Sequence, residues 1–212
     1  MSCFIVVLEI IGTISFAVSG AVLALSKNMD LFGMCMLGIT TACGGGMIRD
    51  LLLGITPPTV LENPMYLTIA GITSVVIFLP FVRKFISSNK KIYDLIMTVT
   101  DSLGLGIFTV CGVKVAIDSV GAENSFLIVF VAVITGVGGG VLRDMFAGMK
   151  PYIFVKHFYA CASIIGAVIC TFGYNITGEK ISLISGFIVI VVIRLCASKF
   201  RWSLPKADSM DV

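Results

Sequence analysis

Two short runs of this sequence place consecutive glycines and a charged pair inside hydrophobic segments. Gly44–Gly46 precede Arg49-Asp50, and 94 positions later Gly138–Gly140 precede Arg143-Asp144. Consecutive glycines weaken a helix. A charged side chain near the centre of a bilayer costs about 3 kcal/mol even on insertion scales. Features this costly, repeated at matching positions, predict a working site for polar or charged species.

Two further acids lie early in two other hydrophobic segments. Glu9 opens the pattern Glu-x-x-Gly-x-x-x-Phe, and Asp101 opens the same pattern with aspartate, 92 positions later. Because an unpaired charge is costly in lipid, Arg49 is expected to pair with Glu9 or Asp50, and the second arginine with the equivalent acids. Two interpretations stay open: the charged clusters are constrictions of a pore, or they are ion pairs that hold the helices together.

The glycine triplets also allow two interpretations. Three residues without side chains let a helix bend or unwind, and irregular backbone at membrane depth is tolerated only beside protein or water. The two helices would then flank a hydrated path. Alternatively, the glycines only let helices pack closely, as small residues do in membranes. The stripes Gly12-Phe16-Gly20 and Gly104-Phe108-Gly112 are predicted to be helix contact surfaces of this second kind.

Lys114 breaks the symmetry of the two copies, since Val22 occupies the equivalent position. A lysine within a hydrophobic segment can respond to the transmembrane field. It is predicted to have a gating or voltage-sensing role, with snorkelling toward the interface as the alternative.

The composition is that of an integral membrane protein. Of 212 residues, 58% are hydrophobic and 13% charged, whereas ordinary soluble domains carry about 25% charged residues. No basic patch with interleaved aromatic residues indicates nucleic-acid binding. The seven cysteines are dispersed and His157 is the single histidine, so no metal site or cofactor is predicted. No nucleophile lies beside a base, and the glycine runs lack the Lys-Ser/Thr of a phosphate loop, so no enzyme activity is expected.

Seven segments are apolar enough to cross a membrane, at 4–25, 31–53, 64–86, 95–117, 125–147, 155–175 and 181–199. A spanning helix needs about 20 such residues. Ten Lys and Arg residues fall on the side reached after the first segment, and only Lys180 falls on the other. Because positive charge concentrates in cytoplasmic loops, the N terminus is predicted to lie outside and the C terminus in the cytoplasm.

The matched motifs divide the chain into two units of three helices, residues 1–86 and 92–175, followed by a seventh helix at 181–199 and a polar tail at 201–212. Because three is odd, the second unit enters the membrane from the opposite side. The predicted fold class is therefore an all-α membrane protein, a single transmembrane domain of seven helices. Its architecture is a 3+3 inverted-topology repeat plus a seventh helix, which places a site near the midplane.

The chain resembles the prokaryotic branch of the trimeric intracellular cation channel (TRIC) family, also known as bacterial membrane proteins with a glycine-transporter label. The resemblance rests on the duplicated Gly-Gly-Gly-x-x-Arg-Asp, the Glu/Asp-x-x-Gly-x-x-x-Phe elements and the ending that runs from Arg194 to Pro205. It implies a symmetric homotrimer with a separate hydrophilic pore in each subunit. It also implies that the second and fifth helices are kinked at their glycines and line that pore.

On this resemblance, we expect a homotrimeric potassium and sodium channel of a bacterial inner membrane, with permeant ions and possible bound lipid rather than a cofactor. A secondary transporter of a small zwitterion such as glycine is the alternative, because inverted repeats and broken helices are equally typical of carriers. The expected partners are further copies of the chain and membrane lipids. The predicted pore and gating residues are Glu9, Gly44, Gly45, Gly46, Arg49, Asp50, Asp101, Lys114, Gly138, Gly139, Gly140, Arg143 and Asp144.

Overall fold

The structure is a computed structural model that describes residues 3–155, 158–200 and 202. Within these residues the chain is helical and contains no strand. Its helices are α1 (Cys3–Ser26), α2 (Leu31–Leu52), α3 (Thr59–Glu62), α4 (Met65–Phe78), α5 (Pro80–Ser87), α6 (Lys90–Val120), α7 (Ser125–Phe146), α8 (Tyr152–Val155), α9 (Tyr159–Thr177) and α10 (Glu179–Phe200). The predicted tail at 201–212, apart from Trp202, and residues 156–157, which include the single histidine His157, lie outside the described residues.

Six of these helices, α1, α2, α6, α7, α9 and α10, are long and apolar enough to cross a membrane. The helices α4 and α5 make a seventh candidate, but they are bent by 71° at their junction. The prediction of an all-α membrane protein is confirmed, and the predicted span over 64–86 is formed by these two helices with a break between them. The cause is Pro80, which has no N–H and pushes the residue before it out of the helical region. Leu79 accordingly has an extended backbone with φ −54° and ψ 136°.

The interior of the bundle is formed by two pairs of helices that correspond to each other in the repeat. The helix α1 packs on α2 and α6 packs on α7, while α2 and α7 contact each other across the centre. The outer helices α9 and α10 pack together and against α6. The glycine runs and the charged pairs therefore lie at the centre of the molecule, on α2 and α7.

The glycine triplets lie where α2 and α7 cross. A Cβ atom on Gly45 would collide with the carbonyl oxygen of Thr135, and a Cβ on Gly139 would collide with the carbonyl oxygen of Thr41. The two contacts are related by the repeat, and their order shows that the helices run antiparallel. Both helices continue through their triplets, so the predicted unwinding is wrong. Unwinding would free carbonyls that the close backbone contact leaves no room to satisfy. The kink implied by the resemblance stays a prediction.

The predicted contact stripes on α1 and α6 are confirmed. Phe108 lies over Gly12, and Phe16 lies over Gly104, where an added Cβ would overlap the ring. The two phenylalanine rings stack on each other with their centroids 5.3 Å apart. Small residues on each helix thus receive the aromatic ring of the other, as is common where helices associate in lipid.

We predict that Gly45→Ala destabilises the protein by about 2 kcal/mol or more, because the added methyl group meets backbone that cannot move aside cheaply. Thermal unfolding of the purified protein in detergent measures the effect. Gly71→Ala is the matched control, since Gly71 also lies in an apolar helix but its Cβ would meet nothing closer than the Ile39 side chain at 3.8 Å. Equal melting temperatures for the two variants would contradict the close backbone contact between α2 and α7 at Gly45.

Candidate functional site

The first Arg-Asp pair forms a buried unit that also anchors the following loop. Arg49 Nε donates to Asp50 Oδ1 at 2.8 Å. The other carboxylate oxygen, Asp50 Oδ2, accepts from the Thr59 backbone N–H at 2.8 Å and from its hydroxyl at 2.7 Å. Asp50 is fully buried and Arg49 nearly so. Asp50 therefore both neutralises the arginine and caps the start of α3.

The second pair repeats this geometry. Arg143 Nε donates to Asp144 Oδ1 at 2.9 Å, and the Tyr152 backbone N–H donates to Asp144 Oδ2 at 2.8 Å at the start of α8. Gly148 ends the turn with φ +66°, as Gly54 does with φ +72° in the first copy, a conformation that glycine adopts without strain. We call each arginine, its aspartate and their neighbours a half-site. The duplicated motif thus forms two half-sites. In each of them, an Arg-Asp ion pair is joined by hydrogen bonds to the segment that follows its helix.

The two early acids, Glu9 and Asp101, reach different partners. Glu9 accepts from the hydroxyl of Tyr66 at 2.6 Å. Asp101 accepts from Arg143 Nη1 at 2.6 Å and from Arg194 Nη2 at 3.2 Å. Each predicted arginine therefore pairs with the aspartate beside it, and the second also pairs with Asp101. Within the described residues no ion pair joins the first arginine to Glu9, so that alternative is wrong.

Among the polar residues of these clusters that the sequence prediction missed are two tyrosines and an arginine. Tyr66 and Tyr159 are 93 positions apart, and Tyr159 lies 3.4 Å from Asp101 just as Tyr66 bonds to Glu9. Their matched spacing was a signal in the repeat. Arg194, the third residue, is the one charge in the middle of the last hydrophobic segment. The predicted ion pairs did not include it, although it forms an ion pair with Asp101.

A cavity of about 630 Å³ opens beside the first half-site at the end of the bundle where α1 begins. A smaller space of about 40 Å³ continues inward from it, past Glu9 and Thr13 to Gly46 and Phe108. A methyl group on Gly46 would meet nothing closer than Arg49 Nη2 at 3.8 Å. The larger cavity is lined by the polar residues Glu9, Arg49, Thr59, Glu62, Asn63, Tyr66, Lys114, Asp118, Ser119 and Glu179. Solvent can therefore approach the glycine crossing from this end.

The second half-site is closed. A methyl group on Gly140, the repeat equivalent of Gly46, would meet the Tyr159 hydroxyl at 2.6 Å. Arg143 is fully buried and stacks on the ring of Tyr152 at 5.0 Å. Arg194 covers the ring of Tyr159 at 4.5 Å. The same motif is thus accessible to water in one copy and sealed by aromatic rings and an extra arginine in the other.

Lys114 lies at the wall of the larger cavity rather than within the bundle core. Its ammonium group contacts Asp118 at 2.5 Å and Glu179 at 3.6 Å. The side chain is 16% exposed. Its predicted role in gating stays a prediction, and the ion pairs give a physical reason why a lysine is tolerated here. Among the described residues, no three His, Cys, Asp or Glu side chains are grouped as a metal site requires.

Comparisons with known proteins give a consistent result. A family model described as Glycine transporter matches residues 6–81 and 98–175. The membrane protein YvgT of Bacillus subtilis is 38% identical over 198 residues, which are 93% of this chain and 94% of that protein. The inner membrane protein YadS of Escherichia coli K12 is 35% identical over 201 residues, 93% of each chain.

Solved structures share the whole fold. A chain from a structural study of conductance through TRIC cation channels is 36% identical, with a TM-score of 0.83, over 97% of this chain and 98% of that one. The TRIC trimeric intracellular cation channel orthologue of Rhodobacter sphaeroides is 28% identical, with a TM-score of 0.86, over 94% of this chain and 100% of that one.

We predict that Asp101→Asn destabilises the protein by about 3–5 kcal/mol, because two buried guanidinium groups lose their shared counter-charge. The stability is measured by thermal unfolding in detergent. Asp94→Asn is the control, since it makes the same change on the same helix at an exposed position. If the two substitutions cost the same, the buried cluster would not stabilise the fold.

Proposed function

We propose that this chain, which belongs to the bacterial membrane-protein family described as Glycine transporter and as the prokaryotic branch of the TRIC channels, is a channel for monovalent cations. The observation that carries the proposal is the polar cavity that leads to the glycine crossing. Four acids, Glu9, Glu62, Asp118 and Glu179, line it against two bases, Arg49 and Lys114. A cleft with excess negative charge concentrates cations and repels anions.

The proposed path runs from this cavity past Glu9 and Gly46, alongside the crossing of α2 and α7, and out beside the second half-site. In this conformation, Tyr159, Arg143 and Arg194 close the far end of the path. Conduction therefore requires these side chains to separate from Gly140 and Asp101, and we propose that this is the gate. In this proposal, the predicted pore residues on α2 and α7 flank the path.

Potassium and sodium are the proposed permeant ions. Strong discrimination between them depends on rings of carbonyl oxygens that replace the hydration shell. The acids of this cavity are side chains around a volume of about 630 Å³, so ions can enter with their water. This lining supports a preference for cations, with little selectivity between potassium and sodium.

The proposed assembly is a homotrimer with one path in each subunit, in a bacterial inner membrane. Support comes from the trimeric Rhodobacter sphaeroides channel and from the inner membrane protein of Escherichia coli. The excess of Lys and Arg at the end of the bundle that holds Lys27, α5 and the start of α6 favours a cytoplasmic location for that end. The cavity would then open to the outside.

A carrier for a small zwitterion such as glycine is the second candidate. The observation that favours it is that only one of two related half-sites is open, which is the geometry of alternating access. Its chemistry would use Arg49 for a carboxylate and Glu9 for an ammonium group, both of which line the cavity.

Recording from the purified protein in planar bilayers separates the two candidates. The channel proposal predicts discrete unitary currents in potassium chloride, with a reversal potential near that of potassium across a salt gradient. Saturable uptake of labelled glycine into vesicles, without unitary currents, would contradict the channel and support the carrier.

We further predict that Glu62→Gln lowers the potassium conductance about twofold at roughly 0.05 M salt, where charges act over more than 10 Å, and has no effect at about 1 M. Glu62 is an exposed residue of the cavity wall. Glu123→Gln is the control, since Glu123 is exposed in the α6–α7 loop and does not line the cavity. An equal, salt-independent change in both variants would contradict the role of the cavity charge.

A further inference from the structure

The short helix α5 has a composition that the path through the bundle does not explain. At 100° per residue, Phe81, Phe85, Val82 and Ile86 occupy one continuous arc, and Arg83 and Lys84 occupy the opposite one. Only half of the apolar arc faces the protein. Ile86 is 2% exposed and packs in the core, whereas Phe81 is 85% exposed and Phe85 57%.

The orientation of α5 relative to α4 favours a position of these groups at a membrane surface. The 71° bend after α4 turns α5 out of the direction of a spanning segment and toward the plane of the membrane. A helix in that plane inserts its apolar side chains below the headgroups and holds its basic ones at their level. Phe81 and Phe85 are therefore directed to the acyl chains, and the two cations on the opposite arc are directed to the headgroups.

A groove of about 600 Å³ lies between α5 and the turn that joins α1 to α2, at the end of the bundle opposite the polar cavity. Its polar wall consists of Arg83, Lys84, Ser87 and Asn28, and its apolar wall includes Leu25, Met29 and Phe78. No acid lines it, and neither cation forms an ion pair within the described residues. Arg83 instead lies over the Phe78 ring at 5.6 Å.

We propose that this groove binds the headgroup of one anionic phospholipid from the adjoining leaflet. The charge favours this occupant, since two cations without counter-ions face a space otherwise bounded by amide, hydroxyl and apolar groups. Guanidinium and ammonium groups are good donors to phosphate oxygens. The exposed phenylalanines occupy the other arc of α5, about one helix diameter of 10 Å from the groove cations, which keeps them within reach of the acyl chains of the same lipid. The site is separate from the half-sites and does not depend on what crosses the bundle.

Fluorescence quenching by brominated lipids tests the proposal. Trp202 is the single tryptophan, so the reporter is F81W in a W202F background, at a position exposed enough to accept the larger ring. The protein is reconstituted into equal mixtures of phosphatidylglycerol and phosphatidylcholine, with either one brominated on its acyl chains. The ratio of the two quenching values gives the local preference within one sample of protein.

The expected result is a preference of about thirtyfold for phosphatidylglycerol, from the typical attraction of two basic side chains to anionic lipid. Arg83→Gln with Lys84→Gln should reduce that ratio to near one. Lys90→Gln with Lys91→Gln is the matched control, which removes equal charge from the start of α6, outside the groove, and should keep most of the preference.

Three outcomes would overturn the proposal. The first is a ratio near one in the reporter protein itself, and the second is a preference that survives loss of both groove cations. The third is an equal fall in the groove variant and in the control, which would mean diffuse attraction of lipid to all basic residues at this end.

Discussion

The contact between the backbones of α2 and α7 is the constraint on which the rest of the molecule depends. Gly45 and Gly139 each face a carbonyl of the other helix, and any side chain there would push the helices apart. An α-helix rises about 1.5 Å per residue, so the arginine four positions beyond each glycine lies about 6 Å from the crossing. Because the helices are antiparallel, the two arginines lie on opposite sides of it. The spacing from glycine to arginine thus fixes two charged clusters above and below one narrow centre.

Identical motifs give unequal half-sites because their neighbours differ. Where the first copy has Thr59, the second has Tyr152, whose ring covers Arg143. Helix α10 belongs to neither repeat and brings Arg194 only to the second copy. At the open copy, Lys114 replaces a buried valine and is held by Asp118 and by an acid at the start of α10. The added helix therefore contacts both half-sites and distinguishes them, which a perfectly symmetric duplication could not do.

Much of this arrangement was predictable from the sequence, and the remainder was not, for identifiable reasons. Composition and matched motifs predicted the membrane class and the duplication, because these depend on local spacing, and they limited each arginine to two possible partner acids. The role of the glycines depends on which helix backbone packs against them, and the sequence alone does not identify that helix. Pro80 is a known helix breaker, but it lies within a long apolar segment, and the segment was therefore assigned as a single span. Arg194 was overlooked because compensation was sought only within the repeats.

The difference between the two half-sites is that water reaches the first and not the second. Hydroxyl-radical footprinting of the unmodified protein in nanodiscs, without a transmembrane voltage, tests it through Tyr66 and Tyr159, which occupy matching positions. Tyr66 lines the cavity, whereas Tyr159 is 2% exposed. We expect Tyr66 to be oxidised at least tenfold faster than Tyr159, since such labelling needs adjacent water. Equal oxidation of the two tyrosines, or faster oxidation of Tyr159, would contradict it.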